Sequence, residues 1–309
     1  MAIQTLQGAE QKIDSQSWAM LALLALIWGG SFMFVGVAVK ELPALLIVLA
    51  RVGIAAAILL PLHLIFQGPL PRDLRTWISC GGMSVMNNVL PFTAISWGQH
   101  NIASGLASVI NATTPMFAAI AMAAFSLEGI TLRKSTALVI GFIGVLVLKG
   151  GNFGELGPQT YGILAVTFAS FCYGFSSPWS KTRLMGIPPM TTATCQLTIS
   201  TVMMAILVML FSEPRLYGQV SLKVWAALIG LAALSTSVAY LIFFRIIGRS
   251  GPSFVSLVTM LVPVSAIILG YFVLGERLSL HEALGAVLIG LALLIIDGRA
   301  LKWAGLIKA

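Results

Sequence analysis

Pro115 and Pro263 each stand four positions after a polar residue, Asn111 and Thr259, inside stretches that are otherwise apolar. A proline has no N–H and so frees the carbonyl four residues earlier; both places are expected to hold unpaired acceptors in mid-helix. Pro91 does the same for Asn87, next to Asn88. More polar and aromatic residues interrupt apolar runs: Trp28 and Ser31, Thr114, Tyr173, Ser177 and Trp179, then Ser235, Thr236 and Tyr240. Amides and hydroxyls between aromatic walls hold a solute by hydrogen bonds without ionising, which suits an amino acid with an apolar or aromatic side chain. Taken singly, each also fits ordinary interhelical hydrogen bonding. As a set they are expected to line a pocket for a small molecule.

Charge is scarce in the same stretches. Arg51 is the one strong charge within a run, eight residues after Pro43, roughly 12 Å along a helix. Two roles stay open for it: a stem that snorkels to the surface, or a group that gates or attracts a carboxylate. No Asp or Glu lies well inside an apolar run. Exchange of protons for cationic drugs therefore lacks a carrier, and a neutral or zwitterionic solute moving down its own gradient is expected. Proton coupling through a histidine stays open, although His63 and His100 fall near run ends, where solvated imidazoles are expected. Glu128 and Glu276 end their runs and read as structural loop anchors.

Other chemistries find little. Cys80, Cys172 and Cys195 are odd in number and lack framework or zinc spacing, so no disulfide, metal or cofactor is expected. Gly248-Arg249-Ser250-Gly251 spells the GxSG of an intramembrane protease, with His281 further on. Successive spans would separate that pair by a membrane thickness, about 30 Å, whereas nucleophile and base need hydrogen-bond reach. No Gly-rich phosphate loop exists, which excludes a self-contained ATP-driven pump. A membrane scaffold, the remaining class, would lack a polar-lined path.

These residues must be positioned by membrane helices. The chain is 58% hydrophobic and 9% charged over 309 residues, against roughly 25% charge in soluble domains. Ten apolar runs are long enough to cross a bilayer: 18–38, 44–66, 76–97, 103–125, 132–149, 160–180, 190–211, 222–245, 253–274 and 280–296. Ser279 to Glu282 spells a capping box before the last, and Thr131 stands at the matching place before the fifth. Ala137-xxx-Gly141 and Ala286-xxx-Gly290 are small-residue ridges for close helix packing. Asn111-Ala112-Thr113 matches a glycosylation sequon, yet in mid-span it cannot be modified.

A cytoplasmic amino terminus puts twelve cations on that side: Lys12, Arg72, Arg75, Arg133, Lys134, Lys181, Arg183, Arg245, Arg249, Arg299, Lys302 and Lys308. Five fall opposite: Lys40, Lys149, Arg215, Lys223 and Arg277. That bias orients both termini to the cytoplasm and explains the net charge of +8 without a nucleic-acid partner. A shift of 148 residues superposes Pro115 on Pro263, Glu128 on Glu276 and Leu132 on Leu280. Five spans per half, an odd number, invert the second half relative to the first, and such repeats hold their site at mid-membrane between the halves. The expected fold is an all-α integral membrane protein of ten transmembrane helices in two inverted-topology repeats. It divides into a cytoplasmic tail (1–17), the repeats (18–150 and 158–297) and a basic interfacial tail (298–309). A lipid bilayer and a small-molecule substrate are the expected partners, and five helices in each half suit a monomer.

Trp28-Gly29-Gly30-Ser31-Phe32, Arg51, and Pro263 followed by Leu274-Gly275-Glu276-Arg277-Leu278 resemble the twice-repeated domain of the drug/metabolite transporter superfamily, in particular its ten-helix EamA-type exporters. The first half has Ser126-Leu127-Glu128 where that family's Leu-Gly-Glu is expected. The resemblance implies bacterial inner-membrane efflux of small metabolites, with amino-acid exporters, aromatic ones included, nearest in kind. The small multidrug exporters of the same superfamily rely on a carboxylate in their first span, where this chain has Trp28 to Phe32.

Overall fold

A computed structural model describes residues 14–150, 157–212, 218 and 220–298. The basic tail after Gly298 and most of the amino-terminal tail lie outside the described residues. Ten helical segments follow one another: α1 (Ser15–Ala38), α2 (Ala44–Phe66), α3 (74–98), α4 (Ser104–Ala124), α5 (Leu132–Leu148), α6 (Pro158–Arg183), α7 (Pro189–Phe211), α8 (Leu222–Ser250), α9 (252–274) and α10 (Leu280–Asp297). No strand occurs among the described residues.

Many of the side chains facing outward are apolar: Leu222 is 86% exposed and Phe272 78%. Water would penalise such a surface and a bilayer solvates it. Six of the segments, α1, α2, α4, α7, α8 and α10, are each long and apolar enough to cross a membrane, so the protein is a multi-pass membrane protein. Helix starts carry their own caps. Asp14 accepts from Ser17 N at 2.9 Å, Asp73 from Thr76 N at 2.7 Å, and Ser279 with Glu282 forms a reciprocal capping box.

Helix pairing is symmetric under exchange of the first five segments with the last five. α1 packs on α9 as α6 packs on α4; α1 packs on α8 as α6 packs on α3; α2 with α7 and α5 with α10 pair across the exchange axis. The closest approaches repeat the symmetry. A Cβ on Gly29 would come within 2.8 Å of Ala266 N, and one on Gly174 within 2.6 Å of Ala118 N. Ala118 and Ala266 are themselves 148 residues apart. Only glycine lets these backbones meet. Between α5 and α10 the contact is made by Gly144 and Gly285, each close to the other's carbonyl oxygen, while Gly290 faces open space. The small-residue ridge of α10 thus lies one position from Ala286-xxx-Gly290.

Contacts between connections define two ends. Asp14 pairs with Arg249, Ser17 with Ser250, and Glu128 with Lys181 at the end holding Ser15 and Asp297, here the terminal end. Glu276 with Ser104, Glu41 with Ser221, and Gly150 with His281 meet at the distal end. Ser250 and His281 therefore sit at opposite ends and form no dyad.

Candidate functional site

Breaks in regular helix place the site. In α3 the backbone widens into a π turn over Val85–Val89, and in α8 over Ala233–Val238. The two begin 148 residues apart. Pro91 explains the first, since a residue without N–H cannot close the normal ladder. The second has no proline. There Thr236 Oγ1 donates to Leu231 O at 3.0 Å and Ser237 Oγ to Ala232 O at 3.1 Å, each reaching back five residues. Such turns turn side chains off the regular helical stripe and recur at functional sites. α4 breaks at Ala112–Thr113, just before Pro115. In α9 the break falls at Ser256–Leu257, a turn earlier than the equivalent place, and Pro263 sits within continuous helix.

Between the halves lies a cavity of about 630 Å³. Its walls come from α1 to α4 and from α6 to α9, leaving α5 and α10 outside. Trp28, Ser31, Asn87, Asn111, Thr114, Tyr173, Ser235, Thr236, Tyr240 and Thr259 all line it, and so does Arg51. The Arg51 stem does not run to the surface. Its Nε donates to Thr236 Oγ1 at 3.2 Å across the halves, and its guanidinium lies 3.5 Å from the centre of the Phe92 ring. Trp28 meets Phe243 at 5.5 Å between ring centres, and Tyr240 stacks on Phe244 at 5.9 Å.

Three residues expected at the cavity lie outside its lining. Asn88 is buried behind the wall, donating to Ser200 Oγ at 3.0 Å and accepting from Gln196 Nε2 at 3.0 Å. The π turn at Val85–Val89 sends Asn87 and Asn88 different ways. Trp179 fills the space over Gly82 and donates to Ser79 O at 2.9 Å, a bolt between α6 and α3. Ser177 is half-buried away from the lining. The Asn111 carbonyl is not free either: Thr114 Oγ1 donates to it at 2.7 Å. The unpaired acceptor at this place is the Asn111 side chain, whose buried Oδ1 has no donor. His63 is 1% exposed with Nδ1 unpartnered, so it is not a solvated imidazole. Gln196 was missed. It lines the cavity and also reaches the Tyr240 hydroxyl at 3.4 Å, and a lone glutamine in the α7 apolar run is the signal that marks it.

The cavity reaches from Arg51 and Ser108 to Leu184, Ile187 and Pro189 at the α6–α7 connection, so it leads toward the terminal end. At the distal end the halves are held together. The Glu276 carboxylate accepts from Ser104 N at 2.9 Å, Ser104 Oγ at 2.7 Å and Gly105 N at 3.3 Å. Within the first half, Gln99 Nε2 donates to Phe32 O at 3.3 Å. Among the described residues the equivalent Glu128 makes no such cap at the terminal end: it is exposed and pairs with Lys134 at 3.2 Å and Lys181 at 3.6 Å. The Lys134 hydrogen bond, and then the charges of both lysines, hold its carboxyl below the ordinary range.

Comparison with known proteins agrees with this architecture. The EamA-like transporter family model matches twice, over residues 16–149 and 160–297. An uncharacterised transporter of Archaeoglobus fulgidus is 25% identical over 283 residues, 91% of this chain and 98% of that one. The uncharacterised transporter YoaV of Bacillus subtilis is 26% identical, covering 87% of this chain and 93% of its own. The uncharacterised inner membrane transporter YedA of Escherichia coli is 26% identical over 89% of each. A crystal structure at 16% identity superposes with a TM-score of 0.64 over 94% of this chain and 99% of that one, a likeness of fold alone. With the family model matched across both halves, the chain belongs to the EamA-like transporter family.

Proposed function

We propose that this membrane transporter exports small neutral or zwitterionic metabolites, amino acids with apolar or aromatic side chains foremost, across a bacterial inner membrane. One observation carries the reading: a cavity of about 630 Å³ whose walls come equally from four helices of each half. Its size suits a molecule of that class, and its place at the seam suits alternating access by two inverted repeats. The ten segments are proposed as ten spans, in repeats over 18–150 and 158–297. The cation bias puts the terminal end in the cytoplasm, so the cavity leads inward. Closure of the distal end by Glu276, with Glu128 uncapping the other, is what one state of such a cycle requires.

The lining includes Arg51 but no Asp or Glu, which favours export down the substrate's own gradient over proton exchange. A single chain completes the cavity, which supports a working monomer. The test is flux from liposomes loaded with amino acids, nucleosides and cationic dyes, with and without a pH gradient. Amino-acid efflux independent of the gradient is expected. Dye flux driven only by the gradient would overturn the substrate class, and amino-acid flux that needs the gradient would overturn the uncoupled mechanism.

A further inference from the structure

The cavity holds one full charge and nothing to balance it. Among the described residues no carboxylate pairs with Arg51, and none lines the cavity. Its Nε is engaged by Thr236 and its face by the Phe92 ring. The two terminal amino groups keep four donors in the flat fork that matches a carboxylate. A cation inside a membrane protein without a counter-ion is costly, and a solute that brings the counter-ion removes that cost. Thr236, on the π turn of the opposite half, holds the guanidinium at the seam.

Asn111 supplies the complementary vacancy. Its Oδ1 is covered and lacks a donor, and the residue lines the same cavity, so a turn of the amide presents Oδ1 to a solute. A buried acceptor left empty is destabilising, and an N–H from the solute satisfies it. With no acid in the lining, a side-chain amide is the acceptor available to an ammonium group.

Resting on the export reading above, we infer that Arg51 receives the carboxylate of the transported solute and that Asn111 Oδ1 accepts an N–H from its ammonium group. The cavity therefore ranks ligands by charge pattern. A zwitterion fills both subsites. A des-amino carboxylate fills only the first and binds more weakly. An amino alcohol leaves Arg51 unpaired, brings a second positive charge and is rejected.

The experiment is counterflow of labelled phenylalanine in proteoliposomes, competed by phenylalanine, 3-phenylpropionate and phenylalaninol. The expected order of competition is as written, with phenylalaninol at least about tenfold weaker than phenylalanine, the scale of a charge-assisted pair. Arg51→Gln should weaken phenylalanine and 3-phenylpropionate by about tenfold or more and strengthen phenylalaninol, which no longer meets a like charge, with Arg51→Lys leaving that repulsion in place and weakening the two carboxylates less. The comparison of ligands on the unmodified protein needs no variant. Phenylalaninol competing as well as phenylalanine would overturn the inference and leave export intact, as would flux of nucleosides without flux of any carboxylate. Absence of flux for every solute would sink the export reading itself.

Discussion

Glu276, at the end of α9, caps the first turn of α4 from the other half of the molecule, its carboxylate 2.7 Å from Ser104 Oγ. Hydrogen bonds to a charged group contribute roughly 1.5–3 kcal/mol, and three converge here. Glu276→Gln should therefore shift the population toward distal opening by about tenfold or more. In a variant without native cysteines, Ser108→Cys, one turn along α4, should react correspondingly faster with a thiol reagent from the distal face. Gly270→Ala should do the same, because its Cβ would stand 2.6 Å from Glu276 Oε2 and 3.0 Å from Ser104 Oγ. Unchanged labelling in both would show that the cap does not hold this end.

The paired glycines give a symmetric expectation for stability. Gly29→Val and Gly174→Val force side chains into backbone 2.8 Å and 2.6 Å away, and each should cost about 1–3 kcal/mol or more. Gly30→Ala is the control, since its Cβ meets only Leu269 Cδ1 at 3.6 Å and gains helix propensity. Thermal unfolding in detergent should show two losses and a neutral or slightly raised midpoint.

Ser126 departs from the family pattern with a visible consequence. It has φ 55°, the left-handed region, whereas in the second half that conformation falls on Gly275 at φ 71°. Ser126→Gly should stabilise by roughly 0.5–1 kcal/mol, relief of left-handed strain less the glycine's greater unfolded entropy. A lower midpoint would contradict it.

Acid should loosen the two ends. The backbone and hydroxyl of Ser221 hold the Glu41 carboxyl below the ordinary range, and Arg249 with Ser17 does so for Asp14. A carboxyl depressed in the folded state stabilises above its ordinary value, 4.5 for Glu41, and loses that contribution as pH falls through the depressed one. The unfolding midpoint should hold from neutral pH to about 5 and fall below that. Glu41→Gln should flatten part of the fall; an identical acid limb would remove Glu41 from the explanation.

Much of this was legible in the chain. Prolines, turn residues and run lengths mark the helical segments to within a few residues, and Ser279 with Glu282 fixes the start of α10. The polar residues of α1, α4 and α9 that face the cavity were found because they interrupt apolar runs. What could not be read is rotation. α2 is apolar on every side, so no stripe says whether Arg51 faces lipid or seam. The π turn of α8 has no proline, only the Ser235-Thr236-Ser237 run, and hydroxyls that reach back five residues are not distinguishable in sequence from ordinary ones. Residue type places Trp179 at the cavity, yet the bare surface of Gly82, 97 residues away, takes the ring.

The seam between the halves is where solute is proposed to cross, so access to it from both membrane faces is the decisive quantity. Single cysteines at Thr114 and Thr259, which line the cavity, in sealed vesicles and an otherwise cysteine-free chain, can be probed with an impermeant thiol reagent applied to either face. Alternating access requires reaction from the terminal-end face at rest, and a rise in reaction from the distal face when transported amino acid is added. Reaction from neither face, or from one face at a rate no solute alters, would contradict it.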